Sequence, residues 1–231
     1  MTNHVITAPE QPTVPVLGQS GLFPVRRIFC VGRNYAEHAA EMGNEVDREA
    51  PFYFTKSAHA LVASGSAVPY PPGTQDFHHE MELVVALKAP LFRATPEAAM
   101  AAVYGYASGL DMTRRDLQAA AKDKRRPWDT GKDFENAAVI TALTPAGDWA
   151  PGDQPITLSV NGAPRQAGKI SDMVWSVPEI LCHLSTLYHL QPGDLIYTGT
   201  PAGVGAVVAG DQIRGEIAGL ETVSLTLSAA E

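Results

Sequence analysis

The sequence has few cysteines and few basic residues, and both shortages exclude classes of protein. Its 231 residues include only two cysteines, Cys30 and Cys182, at a spacing that fits no zinc site, so we expect both to be buried free thiols. Lysine and arginine number 17 against 25 aspartates and glutamates, which gives a formal net charge of -8. An acidic chain without a basic run is not expected to bind nucleic acid or an anionic membrane surface.

The chain also lacks a long apolar segment. No stretch approaches the roughly 20 apolar residues that a helix needs to cross a bilayer. Residues 1–24 are rich in proline and show no basic segment followed by an apolar run, so we expect no signal peptide. The expected location is therefore the cytoplasm.

What remains is the pattern of a strand-rich globular domain, with 45% hydrophobic and 18% charged residues. Short apolar runs bounded by turn residues predict ten strands, over 13–17, 27–31, 51–54, 80–88, 106–110, 156–160, 165–168, 195–198, 211–217 and 222–227. Helical spacing and N-cap residues predict helices over 35–42, 95–103, 113–124 and 176–188. We predict an α+β fold, a mixed β-rich single domain over residues 25–231 with three or four short helices, after an extended lead-in over residues 1–24.

Several local signals refine this prediction. Thr113-x-x-Asp116 and Ser176-x-x-Glu179 resemble capping boxes that begin helices. Asn161-Gly162 is typical of a two-residue hairpin turn. The proline-rich segment 67–73 predicts an irregular edge or loop, and the polar segment 43–50 a mobile excursion from the core.

Two glutamates on one predicted strand carry the first functional signal. Glu80 and Glu82 lie two residues apart, so their side chains point to the same face while Met81 and Leu83 point to the other. Like charges side by side are unfavourable unless a counter-charge is present. Asp111, at the end of another predicted strand, offers a third carboxylate, and three oxygen ligands suit a divalent cation such as Mg²⁺.

Alternatives to a magnesium-type site stay open from spacing alone. The glutamates could line a solvated face while Asp111 caps the next helix. The neighbouring His78 and His79 could indicate zinc, although the second histidine of the His-Glu-x-x-His pattern is missing.

His38 and Glu41 form a second candidate constellation, three residues apart on one face of a short helix. A carboxylate beside an imidazole orients the ring, so the pair could act as a general base. The alternative is that both side chains belong to an exposed polar helix face.

Six segments together resemble the fumarylacetoacetate hydrolase family. They occur in the family's order, as IFCVGRNYAEH at 28–38, HHEME at 78–82, LDMTRRD at 110–116, GK at 131–132, SDMVWS at 171–176 and GDLIYTGTP at 193–201. The resemblance implies a mixed β-rich fold, usually a homodimer, with a Mg²⁺ or Mn²⁺ site. It implies metal ligands at Glu80, Glu82 and Asp111, and a helix carrying His38 and Glu41 that closes over substrate and activates water.

The resemblance also implies roles for further residues. Lys132 matches a catalytic lysine, and four positions match substrate contacts, namely Arg33, Lys56, Gln118 and Thr200. Two departures stand out, because Ser57 follows Lys56 where the family often has proline, and Asp133 follows Lys132 where a small residue is usual. We expect Asp133 to raise the pKa of Lys132 or to reorient its side chain.

From the resemblance we expect hydrolysis of a carbon–carbon bond in an acylpyruvate, foremost 3-fumarylpyruvate, to fumarate and pyruvate, as in gentisate-type aromatic catabolism. The candidate partners for the fumaryl carboxylate are Arg33, Lys56, Arg114 and Arg115. The alternatives are acetylpyruvate hydrolysis, oxaloacetate decarboxylation, or decarboxylation or isomerisation of a homoprotocatechuate-pathway dienoate. From another class, the chain could be a non-catalytic module that binds a metal and a keto acid.

Overall fold

A computed structural model describes residues 4–41 and 48–231, in which strands dominate. The strands are β1 Thr13–Pro15, β2 Leu22–Pro24, β3 Arg27–Gly32, β4 Phe52–Lys56, β5 Leu61–Ala63, β6 Ser66–Pro69, β7 Phe77–His79, β8 Met81–Leu87, β9 Val103–Asp111, β10 Thr113–Arg114, β11 Ala138–Ile140, β12 Thr144–Pro145, β13 Pro155–Val160, β14 Ala163–Lys169, β15 Asp194–Tyr197, β16 Gly205–Val207, β17 Gln212–Ile217 and β18 Val223–Ser228. The α-helices are α1 Ala36–Glu41, α2 Pro96–Ala101, α3 Arg115–Asp123, α4 Asp129–Lys132 and α5 Val177–Leu187. The predicted β-rich α+β class is confirmed.

The strands form one large mixed sheet and smaller ones around it. The large sheet has the order β4-β3-β15-β8-β9-β11-β5, with β12 paired to β9. A five-stranded sheet has the order β14-β13-β17-β18-β6, a three-stranded sheet the order β10-β7-β16, and β1 pairs with β2. Most pairs are antiparallel, but β15 runs parallel to β3, β11 to β5 and β18 to β6.

Both faces of the large sheet are buried, each in a hydrophobic core of its own. Along β8, Leu83 and Val85 belong to the core that also contains side chains of the five-stranded sheet and of α5. Val84 and Ala86 belong to the second core, together with side chains of the β1–β2 hairpin. Since side chains alternate along a strand, Glu82 shares the face of Val84 and Ala86. The whole of β8 is buried, so a charged group lies within an otherwise apolar environment.

All ten predicted strands are present, with ends that differ by up to three residues, but three local predictions need correction. Segment 67–73 is not irregular throughout, because β6 pairs in parallel with β18 as the edge strand of its sheet. A fifth helix, α4, was not predicted. Cys30 is a buried free thiol as expected, whereas the free Cys182 is only half-buried. The predicted excursion over 43–50 falls largely on residues 42–47, outside the described residues.

The turn and capping signals were right in two cases and wrong in one. Asn161 and Gly162 take φ values of 52° and 79°, the left-handed conformations that this hairpin turn requires. The carboxylate of Glu179 accepts hydrogen bonds from the backbone N–H and the hydroxyl of Ser176, the N-cap of α5. Helix α3, however, begins at Arg115 and has no side-chain cap, because Thr113 and Asp116 bind other partners. No helix among residues 4–41 and 48–231 is long and apolar enough to cross a membrane.

Candidate metal and catalytic site

Three carboxylates meet where β8 and β9 run side by side. Glu80 immediately precedes β8, Glu82 is its second residue, and Asp111 is the last residue of β9. The antiparallel register pairs Met81 with Leu110, and the N–H of Asp111 donates to the carbonyl of Glu80 at 2.9 Å. Each carboxylate offers one oxygen atom, and these three oxygen atoms lie within 4.8 Å of one another. All three side chains are buried. The strand pairing thus brings together groups that lie about 30 residues apart in sequence.

Glu82 is the carboxylate of the three that lacks a cationic partner. Its Oε2 accepts a hydrogen bond of 2.7 Å from the N–H of Gly199, and no lysine or arginine of the described chain forms an ion pair with it. Burial, reinforced by the charges of Asp111 and Glu80, raises the pKa of Glu82 well above its usual range. A bound divalent cation would remove this cost, and three carboxylate oxygens suit a hard cation such as Mg²⁺ or Mn²⁺.

No histidine of the described residues is placed to bind a metal ion together with these carboxylates. Within residues 4–41 and 48–231, the three carboxylates are the only group of His, Cys, Asp or Glu side chains placed to share a metal ion. His78 contacts Asp76 at 2.8 Å, and His79 contacts the amide oxygen of Gln166 at 3.1 Å. The donor chemistry is therefore that of an oxygen site, not a zinc site of histidines.

Lys132 is in direct contact with two of the three carboxylates. Its Nζ donates to Glu80 at 2.8 Å, to Asp111 at 2.7 Å and to the hydroxyl of Thr113 at 2.7 Å. Burial opposes its charge, but Asp111 and Glu80 outweigh that cost and raise the pKa of Lys132 above its usual value. Lys132 therefore stays an ammonium group inside the site. Its position depends on Gly131, where a Cβ would lie 2.9 Å from the backbone nitrogen of Gln118 and would separate α4 from α3.

Glu80, Glu82 and Lys132 line a cavity, and Lys56 lies behind them, outside its lining. Its Nζ is 2.8 Å from Asp111 Oδ1 and donates to the carbonyl groups of Met112 and Lys132. The side chain is fully buried, so its ammonium fixes the orientation of Asp111.

Asp133 does not act on Lys132 as expected. Its Oδ1 accepts a hydrogen bond of 2.7 Å from the backbone N–H of Ser57, and the charges that raise the pKa of Lys132 are those of Asp111 and Glu80. Ser57 and Asp133, the two departures from the family pattern, are thus joined by a hydrogen bond. Proline at position 57 would have no N–H to donate.

Arg115 binds the carboxylate oxygen of Glu80 that Lys132 does not bind. Its guanidinium donates to Glu80 Oε1 at 2.5 Å and to the amide oxygen of Gln118 at 2.6 Å. Burial would raise the pKa of Glu80, but Lys132 and Arg115 hold it well below the usual range. Arg115 is therefore committed to Glu80. Arg114 stacks instead over Phe134 at 4.2 Å, away from the residues that line the cavity.

His38 and Glu41 form the expected pair. His38 Nδ1 lies 3.3 Å from Glu41 Oε2, and the same carboxylate accepts hydrogen bonds from the N–H of Gly203 at 3.1 and 3.2 Å. His38 is only 7% exposed and lines the same cavity as Glu80 and Glu82. An exposed polar helix face does not describe this histidine. Whether α1 closes over substrate stays a prediction.

Thr200 lines the cavity, and Gln166, which no sequence pattern indicated, orients its hydroxyl. Gln166 Oε1 accepts from the N–H of Met81 at 3.0 Å, and its Nε2 donates to Thr200 Oγ1 and to the carbonyl of Pro201, both at 2.8 Å. Because the Met81 N–H can only donate and the Pro201 carbonyl can only accept, the amide has one possible orientation. Thr200 Oγ1 is thus an acceptor toward Gln166, and its own hydrogen remains available to donate into the cavity.

Replacing Gln166 with leucine should lower the free energy of unfolding by about 3 kcal/mol. The side chain is 2% exposed, and its loss would leave the buried Met81 N–H and Pro201 carbonyl without partners. Urea unfolding measures the effect. Gln212→Leu, at an exposed position of β17, is the matched control. Its free energy of unfolding should change by less than about 0.5 kcal/mol, as is usual for surface substitutions. Equal stability of the two variants would contradict the bonding assigned to Gln166.

Most of the predicted site residues therefore line one cavity. They are Arg33, His38, Glu80, Glu82, Gln118, Lys132 and Thr200. Asp111, Glu41 and Lys56 contact members of this set from behind. Phe54, Trp128 and Lys122 also line the cavity, although no sequence pattern indicated them.

Comparisons with known proteins identify the relatives of this chain. The sequence model described as "Fumarylacetoacetate (FAA) hydrolase C-terminal" matches residues 27–228. The chain is 54% identical over 192 residues to a fumarylpyruvate hydrolase of Ralstonia sp., covering 82% of this chain and 100% of that one. It is 41% identical over 208 residues to a mitochondrial oxaloacetate tautomerase of Homo sapiens, covering 89% and 93%. The crystal structure of fumarylpyruvate hydrolase from Pseudomonas aeruginosa in complex with Mn²⁺ and pyruvate has a TM-score of 0.94 at 45% identity, with 98% and 100% of the two chains covered.

Proposed function

Since the chain belongs to the fumarylacetoacetate hydrolase family, we propose that it is a metal-dependent hydrolase that cleaves the carbon–carbon bond of an acylpyruvate, foremost 3-fumarylpyruvate. The observation that carries this proposal is the placement of His38, held at Nδ1 by Glu41, in the same cavity as Glu80 and Glu82. A pair that can activate water therefore faces a set of carboxylates that can hold a divalent cation.

The metal would contribute electrostatic chemistry. When held by Glu80, Glu82 and Asp111, a divalent cation would polarise the 2-oxo carboxylate of the substrate and counter the charge of the departing enolate. The relative from Pseudomonas aeruginosa contains Mn²⁺ and pyruvate, which supports Mn²⁺ or Mg²⁺ here.

His38 acts as the general base. Glu41 engages Nδ1, so Nε2 is the ring atom left to take a proton from water. The resulting hydroxide adds to the ketone carbon of the acyl group, and the bond between that carbon and the methylene of the pyruvyl unit breaks. The electron pair of that bond leaves with the pyruvyl unit as the enolate of pyruvate, and the acyl carbon with the added hydroxyl becomes a carboxyl group of fumarate. The methylene carbon of the enolate then takes up the proton that His38 removed from water.

Lys132 and Thr200 act on charge that develops during the reaction. The ammonium of Lys132, fixed by Glu80 and Asp111, places a permanent positive charge at the metal ligands. Thr200 can donate its hydroxyl hydrogen to a substrate oxygen, because it acts only as an acceptor toward Gln166. Preorganised donors of this kind favour the transition state over the ground state. Gln118 and Arg33 contact substrate from the cavity wall, and Lys56 acts through Asp111.

An oxaloacetate tautomerase is the second candidate function. The relative from Homo sapiens at 41% identity carries that name, and tautomerisation of a keto acid passes through the same kind of enolate. It would need proton transfer at a carbon atom but no attack by water. Three further predictions stay predictions, namely a homodimer and a place in gentisate-type catabolism from the resemblance, and a cytoplasmic location from the sequence pattern.

Metal removal and substrate comparison test the proposal directly. The EDTA-treated protein should show no turnover of fumarylpyruvate, and Mn²⁺ or Mg²⁺ should restore it, with Ca²⁺ as a control for unspecific stabilisation by a divalent ion. Fumarate and pyruvate should appear in equal amounts by chromatography, and acetylpyruvate and oxaloacetate are compared in parallel. Full turnover in EDTA, or tautomerisation of oxaloacetate without cleavage of any acylpyruvate, would overturn the proposal.

A further inference from the structure

Lys122 is a cavity residue that the mechanism above does not use. It lies on α3, is partly buried, and lines the cavity together with Arg33 and Trp128. Its Nζ is 4.8 Å from the centre of the Trp128 ring. Within the part of the chain that the structure describes, no carboxylate forms an ion pair with Lys122 or with Arg33.

The surroundings of Lys122 are positively charged and partly dehydrated. Burial, followed by repulsion from Arg115 and Arg33, lowers the pKa of Lys122 to about 8. Arg115 is already bonded to Glu80, so it cannot neutralise a further anion in full. An anionic ligand beside Lys122 and Arg33 would lower the cost of placing these charges together.

Arg33 shows a second sign of a built site. It follows β3 with a φ of 59°, in the left-handed region that residues with a side chain rarely adopt. Such conformations cost free energy and concentrate at ligand-binding positions. The strained backbone holds this exposed arginine at the cavity wall.

Helix geometry separates Lys122 along α3 from Arg115, the residue that bonds Glu80. Arg115, Gln118 and Lys122 are three and four residues apart, so they follow one face of α3 along the cavity. Arg115 bonds Glu80, and at 1.5 Å per residue Lys122 begins roughly 10 Å further along the helix axis. Phe54 and Trp128 line the same cavity and offer flat apolar surface, which suits a planar unsaturated chain.

We propose that Lys122 and Arg33, with the ring of Trp128 beside them, form a subsite for a carboxylate at the far end of the acyl group. The enzyme thereby prefers acylpyruvates whose short, planar acyl group ends in a carboxylate to acylpyruvates whose acyl group ends in a methyl group. This inference rests on the proposed function, because it assigns the acyl end of the substrate in the same cavity.

The test compares fumarylpyruvate, which has the distal carboxylate, with acetylpyruvate, which lacks it. The measured quantity is the ratio of the two kcat/KM values with saturating Mn²⁺. Lys122→Met removes the charge at similar length and should reduce this ratio by roughly 30-fold or more, mainly through the KM for fumarylpyruvate. Lys122→Arg should keep the ratio within about threefold, and Lys124→Met, at an exposed position next to the same helix, should leave it unchanged.

A direct binding measurement separates this inference from the proposed function. With Mn²⁺ and pyruvate at saturation, calorimetry should show fumarate binding to the unaltered protein and at least a tenfold weaker affinity in Lys122→Met. If the protein cleaves neither acylpyruvate, the proposed function fails, while fumarate binding still decides the subsite. An unchanged ratio in a folded Lys122→Met variant, or an equal loss with both substrates, would mean that Lys122 only packs against Trp128.

Discussion

Replacing His38 with alanine should lower turnover of fumarylpyruvate by roughly 10²–10⁴, the usual contribution of general base catalysis. The imidazole is the group that we propose takes a proton from water, and the contacts that hold the carboxylates and Lys132 do not depend on it. Affinity for Mn²⁺ should therefore change by less than about threefold, since His38 is not among the proposed ligands. Stopped-flow turnover and calorimetric metal titration measure the two quantities on the same preparation.

Glu41 gives this prediction a sharper form. Its carboxylate engages His38 Nδ1, so Glu41→Gln should lower turnover less than His38→Ala, and the double variant should be no slower than His38→Ala alone. Such non-additivity is expected of a residue that acts through another. His59→Ala, at an exposed histidine, is the matched control. Its turnover should stay within about twofold of the unaltered protein, because a surface substitution away from the site has little effect. Near-normal turnover in His38→Ala, or independent losses in the double variant, would refute the assignment of the base.

The carboxylate cluster was predictable from sequence because one part of its geometry is local. Period-two alternation along β8 places Glu80 and Glu82 on one face without knowledge of any other element. Asp111 joined the prediction because it ends an apolar run, yet its actual position depends on the β8–β9 register. The capping signal at Ser176 was likewise local, and the structure reproduces it.

The residues that sequence reasoning missed act through contacts between distant segments. Thr113 has the spacing of a helix cap, but its hydroxyl bonds Lys132 and Glu80 within the site. Gln166 reaches Thr200 from β14, and a glutamine on a strand carries no local mark of that role. Nothing in the sequence around Lys122 indicates that its ammonium lies beside Trp128 at the wall of the cavity.

Ser57 and Asp133 show how a deviation from a family pattern can be explained only by the fold. Each was visible in the sequence as an unusual residue after a lysine of the site. Their mutual hydrogen bond joins the segment after Lys56 to the segment after Lys132, the two lysines that hold Asp111. The pair therefore supports the positions of both ammonium groups instead of changing their charge.

Replacing Glu82 with glutamine should abolish metal-dependent turnover and the thermal stabilisation that metal gives. At a free Mn²⁺ concentration of 100 times Kd, binding adds about 2.7 kcal/mol to the stability of the folded protein. For a chain of this size that corresponds to a rise in Tm of roughly 5–10 °C. With one of three carboxylate ligands neutral, the rise should fall below about 2 °C at the same concentration. Calorimetric scans with Mn²⁺ and with EDTA measure both states.

The same variant should not destabilise the metal-free protein. Glu82 is buried beside Asp111 and Glu80 without a cationic partner of its own, and the amide oxygen of glutamine can still accept the hydrogen bond from Gly199. Removing the charge relieves repulsion between buried carboxylates, so Tm in EDTA should stay equal or rise. Glu216→Gln, at an exposed position of β17, should change neither the Tm in EDTA nor the rise in Tm with Mn²⁺.

A large fall in Tm without metal would show that the Glu82 charge is balanced within the protein. A retained rise with Mn²⁺ would remove Glu82 from the ligand set. The opposite signs expected with and without metal follow from one cause, since the burial of Glu82 without a cationic partner costs stability that a bound cation restores.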